Sequence, residues 1–261
     1  MNLRVENLSF AYRAGTPVLR ELNLEIGAGK VTGLFGPNGS GKSTLLRCLT
    51  GALRPQSGTV WCDDRRVDTL TPREVARRVA VVPQDTPRGV PLTAREMVAL
   101  GRFALGNEDA AVVTASLAQV DAAELADRPF DELSGGERQR IVIARALAQE
   151  TPVLFLDEPA CHLDIAHQLA VYRLVRTLAA GGCTVLMVCH DLVFAPMFVD
   201  HAVLLAKGRV ATAGRPVEVL TEESMSAVFG CRLRVDHRHP ESVCVSLFAQ
   251  IASGLGSTLA P

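Results

Sequence analysis

Hydrophobic and polar residues alternate along much of the first sixty positions, a pattern typical of half-buried β-strands. The segments LRVENLSFAY (3–12) and LRELNLEI (19–26) alternate with a period of two, and SGTVWC (57–62) predicts another strand. The short apolar run VTGLF (31–35), which a glycine follows, predicts a further strand. The first part of the chain is therefore predicted to be rich in β-structure.

The pattern becomes helical between residues 85 and 150. Thr71 and Thr93 are each followed three residues later by glutamate, and this spacing is the capping box that starts a helix. Beyond Thr93, alanine, leucine, glutamate and arginine replace the β-branched runs, and residues 108–120 and 137–149 are predicted helices. We therefore predict a helical insert within a mixed α/β chain.

Strands and helices alternate again after this insert. PVLFLDEP (152–159) and TVLMVCHD (184–191) are predicted strands buried on both faces. Residues 164–182 between them predict an amphipathic helix that ends at glycine. The apolar stripe predicted for that helix comprises Ile165, Leu169, Tyr172 and Val175. Short strands over 201–214 and a helix near 221–229 complete the predicted order of elements.

Composition then narrows the classes of function. The chain has 261 residues and a formal net charge of −1, whereas nucleic-acid-binding proteins usually carry a basic excess. The 7 cysteines are irregularly spaced without a CxxC pair, which argues against a disulfide framework or zinc site and favours a reducing compartment. The N-terminus is charged where an export signal would be apolar, and the segment from Ser242 onward is too polar for a transmembrane helix. We expect a soluble chain that acts on a membrane only through a partner.

The segment GPNGSGKST (36–44) carries the first functional signal, because it fits the pattern G-x-x-x-x-G-K-[ST] between a predicted strand and a predicted helix. Backbone N–H groups of such a loop surround phosphate oxygens, and a Cβ would block that approach. Lys42 is expected to reach the β- and γ-phosphates, and Ser43 to bind Mg²⁺. The triphosphate-binding residues predicted here are Gly36, Pro37, Asn38, Gly39, Ser40, Gly41, Lys42, Ser43 and Thr44.

Acidic and imidazole side chains follow two of the buried strands. Asp157 and Glu158 come directly after four apolar residues, at the carboxyl end where ligands bind in open α/β sheets. Asp157 is expected to hold Mg²⁺, and Glu158 to orient or deprotonate a water that attacks the γ-phosphate. His190 ends the strand TVLMVC in the same way and is expected to contact the γ-phosphate and Glu158.

The segment LSGGERQR (133–140) is the remaining unusual stretch. Ser134 and Glu137 have the capping-box spacing, yet two glycines in the first turn weaken a helix. Because bare amides at a helix N-terminus bind anions well, this turn is a candidate for a second phosphate-facing site.

Together these motifs resemble the ATP-binding subunit of ABC transporters over nearly the whole chain. The motifs occur in the order of that family: Walker A (36–44), Q-loop VVPQ (81–84), signature (133–140), Walker B (153–159), D-loop CHLD (161–164) and switch VCHD (188–191). The resemblance implies a P-loop NTPase core with an antiparallel β subdomain and a helical insert subdomain. It implies one domain, divided approximately into a core (1–84 and 151–230), a helical signature subdomain (85–150), and C-terminal strands with a tail (231–261).

The resemblance also implies roles for individual residues, with ATP and Mg²⁺ as ligands. Tyr12 matches the aromatic residue that stacks on adenine. Gln84 matches the residue that senses Mg²⁺ and the attacking water and couples the site to the transport subunit. Asp164 matches the aspartate that communicates across a dimer. The turn implied to close on ATP held by a second copy comprises Ser134, Gly135, Gly136 and Glu137. Ala160, Cys161 and Cys189 depart from the usual family residues without removing a charge or ligand.

Two further segments resemble those of one group of ABC importers, and this resemblance implies the partners and the cargo. The segments LDIAHQ (163–168) and MVALGRF (97–103) are similar to those of iron–siderophore, haem and cobalamin importers. In such importers two ATPase chains pair head to tail, join integral-membrane permeases, and work with a periplasmic or lipid-anchored binding protein. The resemblance thus implies a homodimer at the cytoplasmic face of the inner membrane, with no nucleic-acid partner.

Other readings stay open at this point. The same machine could carry another cargo, such as zinc, manganese or an exported solute. A soluble ABC ATPase that acts on nucleic acid would show a coiled-coil insert or two tandem cassettes, and this sequence has neither. A nonhydrolysing binding module would lack Lys42, Glu158 or His190, all of which are present.

Overall fold

A computed structural model describes residues 1–161, 163–239 and 242–246. In chain order the elements of these residues are β1 (Leu3–Ala11), β2 (Pro17–Ile26), β3 (Val31–Phe35), α1 (Lys42–Leu49), β4 (Ser57–Cys62), β5 (Arg65–Arg66), α2 (Pro72–Ala76), β6 (Val79–Val82), α3 (Ala94–Ala99), α4 (Ala110–Gln119), α5 (Gly135–Ala148), β7 (Val153–Asp157), α6 (Ile165–Ala180), β8 (Thr184–Val188), β9 (His201–Ala206), β10 (Arg209–Gly214), α7 (Pro216–Val219), α8 (Glu222–Phe229), β11 (Arg234–His239) and β12 (Ser242–Ser246). Short 3₁₀ turns connect several of them.

The central sheet has the strand order β10-β9-β3-β8-β7-β6. The strands from β9 to β6 run parallel, and β10 is an antiparallel edge strand. Every residue of β3, β7 and β8 is buried, as expected for parallel strands covered on both faces. This arrangement confirms the α/β class, and it brings the carboxyl ends of the parallel strands to one edge of the sheet.

A second, antiparallel sheet has the strand order β2-β1-β4-β5. Its inward-facing residues Leu8 and Leu22 share one apolar cluster with Leu45 of α1 and with Phe155 and Leu186 of the central sheet. The period-two pattern of β1 and β2 therefore buries one face against the core, as the alternation predicts. The cluster fixes α1, and with it the preceding glycine-rich loop, between the two sheets.

The helical region is built around α3, α4 and α5. Capping boxes at Thr71, Thr93 and Ser134 start α2, α3 and α5, which confirms the helix starts predicted at the two threonines and the cap predicted at Ser134. The 3₁₀ turn Leu100–Arg102 lies against α5 so closely that a Cβ on Gly101 would be 2.2 Å from the carbonyl oxygen of Arg145. Only glycine permits this approach.

The prediction for α6 is wrong at its first residue. Ile165 was expected in the apolar stripe, but it is 63% exposed, whereas Tyr172 and Val175 are buried. Asp164 caps α6, so Ile165 lies in the first turn, away from the sheet that covers the later turns. β11 and β12 form an antiparallel hairpin, and the rest of the uncharged tail lies outside the described residues. None of the helices in the described part of the chain has the length and apolar character needed to cross a membrane.

We expect Gly101→Ala to lower the stability of the protein, because the new methyl group forces the turn away from α5. The free energy of unfolding should fall by about 1–3 kcal/mol, the range found for overpacked sites. Gly135→Ala is the matched control, since a Cβ there has no heavy atom within 4 Å; its effect should stay within about 0.5 kcal/mol. Thermal or denaturant unfolding measures both, and equal effects would contradict the close approach at Gly101.

Candidate functional site

The loop between β3 and α1 is shaped by its glycines. Gly36 has φ 145°, and a Cβ there would lie 2.2 Å from the carbonyl oxygen of Leu205. Gly41, the residue before α1, has φ 108° and offers no side-chain cap to the helix. The first amides of α1 therefore have no side-chain cap at Gly41, and they form the positive end of the helix dipole. This arrangement is an anion-binding cradle of the kind that phosphate groups occupy.

Lys42 lies inside this cradle. Its Nζ donates hydrogen bonds to the carbonyl oxygens of Gly36 (2.8 Å) and Pro37 (3.0 Å). Burial lowers the pKa of Lys42, and the nearby carboxylates of Glu158 and Asp157 oppose that shift. The ammonium group is thus held by the loop itself, within the electrostatic reach of two acids.

Asp157 ends β7 and is 9% exposed. Burial raises the pKa of its carboxyl group, while a hydrogen bond with Ser43 and the charges of Lys42 and His190 act in the opposite direction. Its Oδ1 is buried and has no hydrogen-bond partner within the described residues. A buried carboxylate oxygen without a partner, next to a serine hydroxyl, offers the hard oxygen ligands that Mg²⁺ prefers. The residues present therefore fit a bound magnesium ion.

Glu158 and His190 form a close pair at the same edge of the sheet. Oε1 of Glu158 lies 2.7 Å from Nε2 of His190, and the glutamate side chain is only 13% exposed. Glu158 has φ 53°, a left-handed conformation that costs a non-glycine residue on the order of 1 kcal/mol or more. Its amide donates to the carbonyl oxygen of Val188 in β8 (3.3 Å). Strand pairing thus holds the carboxylate in a fixed position beside the histidine.

Tyr12 stands beside the cradle. Its hydroxyl lies 3.3 Å from Oγ1 of Thr44, and its ring packs edge-on against Phe10 with centroids 4.9 Å apart. The ring is 55% exposed, so an aromatic face is available for a flat ligand such as a nucleobase. Gln84 is exposed just beyond β6, the strand that pairs with β7. Both residues stay predicted site residues, and both lie on or next to the elements that hold the cradle and the acids.

Hydrogen bonds between its own residues hold the turn that starts α5. The amide of Ser134 donates to Oε2 of Glu137 (2.7 Å), and Ser134 Oγ accepts from the Glu137 amide (3.3 Å). The hydrogen bonds from Ser134 lower the pKa of Glu137, which also pairs with Arg128. Gly135 has open space where a Cβ would be, and a Cβ on Gly136 would touch Leu163. The glutamate is therefore engaged in capping, and the exposed residues of the turn are Ser134 and Gly135.

Asp164 and one residue missed by the sequence analysis complete the region. Asp164 caps α6 through the amide of His167 (2.9 Å) and also contacts the His167 ring (2.8 Å). Gln139 is buried in α5 and donates to the carbonyl oxygen of Pro159 (3.3 Å). The only sequence signal for Gln139 is its spacing, because it shares a helical face with the buried residues Val142 and Ala146.

Comparisons with known proteins show which family the chain resembles. The model of the ABC transporter family matches residues 19–161. The chain is 44% identical over 247 residues to the hemin import ATP-binding protein HmuV of Pseudomonas aeruginosa, covering 92% of this chain and 96% of that protein.

Solved structures extend the likeness to three dimensions. An ABC transporter assigned to the metal-chelate type, in an inward-facing conformation, matches with a TM-score of 0.79 at 31% identity, covering 93% of this chain and 95% of the other. The dimeric structure of MJ0796, a bacterial ABC transporter cassette, matches with a TM-score of 0.76 at 28% identity, covering 82% and 98% of the two chains.

The buried Asp157 makes a prediction about pH. Because its pKa is raised above the ordinary value of 3.8, its protonated form favours the folded state. That contribution is complete below pH 3.8 and is lost as the pH rises through the raised pKa. Asp157→Asn should therefore make the nucleotide-free protein more stable near neutral pH, by about 1–3 kcal/mol for an unsatisfied buried group.

The difference between Asp157→Asn and the wild type should shrink as the pH falls towards 3.8. Asp68→Asn is the control with the opposite sign, because a hydrogen bond from Arg66 lowers the pKa of Asp68. Melting temperatures across this pH range measure both variants. A wild type more stable than Asp157→Asn at neutral pH without nucleotide would contradict the burial argument.

Proposed function

This chain belongs to the ABC transporter family, and on that premise we propose that it binds and hydrolyses ATP to drive uptake of a metal chelate through a partner permease. The observation that carries the proposal is the Glu158–His190 pair at 2.7 Å, held at the sheet edge next to the P-loop. The cargo class rests on the relative named for hemin import and on the metal-chelate type transporter. The cargo is thus an iron–siderophore, haem or cobalamin type of chelate.

Each residue at the sheet edge has a distinct task in this proposal. The ring of Tyr12 stacks on adenine, and the amides of residues 36–44 hold the phosphates. Lys42 turns from the loop carbonyls to the β- and γ-phosphates. Glu158 accepts the proton of the attacking water, which it is suited to do because its side chain is nearly buried and fixed. His190 orients that carboxylate and the γ-phosphate.

Magnesium binding is part of the same proposal. Ser43 and Asp157 would hold the ion, with Gln84 near it. The bound ion would neutralise charge on the β- and γ-phosphates. The support from this chain is the unpartnered Oδ1 of Asp157 beside the Ser43 hydroxyl.

The proposed active form is a head-to-tail homodimer. A Cβ on Gly135 would meet no heavy atom within 4 Å, so there is open space beside this residue, and its amide lies at the positive end of α5. In the dimer, the turn formed by Ser134, Gly135, Gly136 and Glu137 faces the γ-phosphate of ATP held by the other copy, and Asp164 lies at the shared interface. The dimeric cassette among the structural neighbours supports this assembly.

A groove between α2 and α3 is the proposed docking surface for the permease. It has a volume of about 1010 Å³, and its lining includes Leu92, Ala99, Leu100, Arg102 and Phe103. Phe103 is 86% exposed and Leu100 is 49% exposed. An exposed aromatic at the rim of an apolar groove is typical of a binding anchor. The assembly would then lie at the cytoplasmic face of the inner membrane, with the chelate-binding protein on the other side.

Glu158→Gln tests the assignment of the base. We expect turnover to fall at least about 100-fold, the lower range for losing a general base, while ATP still binds and the dimer accumulates. Glu21→Gln is the matched control, because Glu21 is also a left-handed glutamate (φ 47°) but pairs with Arg209 away from the cradle. Phosphate release and size-exclusion chromatography with ATP measure these effects. Normal turnover in Glu158→Gln would refute the assignment.

Phe103→Ala tests the docking surface. We expect the variant to keep the basal ATPase rate of the free chain and to lose most of the permease that co-purifies with the wild type, since anchor truncation typically costs about 2 kcal/mol or more. Met197→Ala, which removes another exposed apolar side chain, should leave co-purification unchanged. Mass spectrometry of the complex from membranes identifies the permease and its cargo class. Equal recovery with both variants would remove the groove from the proposal.

A further inference from the structure

Gln139 makes a buried contact that the catalytic roles above do not use. Its side chain is 4% exposed, and its Nε2 donates to the carbonyl oxygen of Pro159 at 3.3 Å. Pro159 directly follows Glu158, the left-handed residue of the catalytic pair. The hydrogen bond therefore fixes the peptide between Pro159 and Ala160, one residue beyond the proposed base, from the side of α5.

The same helix approaches the segment that follows Glu158 at a second point. A Cβ on Gly136 would lie 3.3 Å from Cδ2 of Leu163, and Leu163 is itself buried. The Leu163 amide donates to the carbonyl oxygen of Ala160, and its own carbonyl accepts from Gln168 Nε2 (2.9 Å). The first turns of α5 thus pack along the chain between Glu158 and the start of α6.

We propose that Gln139 is a positioning residue that couples the two ATP sites of the dimer. The inference rests on the proposed head-to-tail dimer, in which the turn at 134–136 contacts the partner's ATP while Glu158 acts on ATP in its own chain. Gln139 lies one helical turn beyond Gly135 on α5, so a movement of that turn on binding the partner's ATP is passed to Pro159 and Glu158. Occupancy of one site then aligns the base of the other.

The chemistry of the contact explains why an amide is needed here. The carbonyl oxygen of Pro159 is a backbone acceptor that requires a partner where it is buried, and the amide of Gln139 supplies the donor. A left-handed glutamate keeps its conformation only where neighbouring contacts fix it. Without the Gln139 donor, the peptide between Pro159 and Ala160 is free to relax, and a movement of α5 is no longer passed to the Glu158 carboxylate.

Gln139→Met is the test variant, because methionine keeps an unbranched side chain of similar length and removes the donor. Gln149→Met is its matched control: Gln149 caps the other end of α5 and donates through Nε2 to the carbonyl oxygens of Val79 (3.1 Å) and Ala76. Both variants should lower the melting temperature, because each leaves a carbonyl unpaired. Gln139→Asn, which has the donor on a shorter stem, should restore little.

The readout is the ATP dependence of phosphate release by the full chain, together with its ATP affinity. For the wild type and Gln149→Met we expect a Hill coefficient close to the number of coupled sites. For Gln139→Met we expect a Hill coefficient near one and a kcat lower by about tenfold, with ATP affinity unchanged. A merely structural role would lower the melting temperature and leave cooperativity intact.

Different results would contradict the head-to-tail dimer and the role of Gln139. If the wild type hydrolyses ATP without cooperativity and Glu158→Gln stays monomeric with ATP, the head-to-tail dimer is wrong, and the coupling falls with it. If the wild type is cooperative but Gln139→Met matches Gln149→Met in Hill coefficient and kcat, the dimer stands and the role of Gln139 is overturned.

Discussion

The pairing register of the parallel strands is the constraint on which the site depends. Leu34 of β3 and Asp157 of β7 both lie opposite Val188 of β8. The residues that follow, Gly36, Glu158 and His190, therefore leave the sheet at nearly the same level. A shift of one residue in β8 would turn every side chain of that strand to the other face and would separate His190 from Glu158. The apolar runs of these strands thus build the core and also align the side chains at the sheet edge.

Several groups in the site make unfavourable contributions to the folding free energy that a ligand would reduce. Lys42 and Asp157 are both buried. Burial lowers the pKa of Lys42 and raises the pKa of Asp157, and both shifts favour the neutral form of the side chain. Within the described residues Asp157 Oδ1 has no hydrogen-bond partner, and Glu158 is held in a left-handed conformation. Triphosphate and a divalent cation would supply the opposite charges and ligands. Such groups lower the stability of the fold, the usual compromise between stability and function.

Local chemistry made much of this predictable from the sequence. The capping boxes, the alternation of β1 and β2, and the glycine-rich loop depend on residues a few positions apart. The local sequence pattern is therefore enough to predict them. The burial of Gln139 depends on Pro159, twenty residues away, and the exposure of Ile165 depends on where α6 leaves the sheet. The left-handed Glu158 was also missed, because it follows from strand ends meeting in space. What the sequence could not supply was contact between distant segments.

The helix α5 joins the parts that the sequence treats separately. A Cβ on its first residue, Gly135, would meet no heavy atom within 4 Å, while near its end the Arg145 carbonyl leaves room only for a glycine at position 101. Arg102, next to Gly101, donates to the Ala148 carbonyl (2.9 Å), so the far end of α5 holds the turn that lines the groove beside Phe103. Fourteen residues of helix span roughly 21 Å at 1.5 Å per residue. The close packing explains why residue 101 is glycine, whereas no packing contact at the Cβ position explains the glycine at 135. Helix α5 thus connects the turn at 134–136 to the turn that lines the groove.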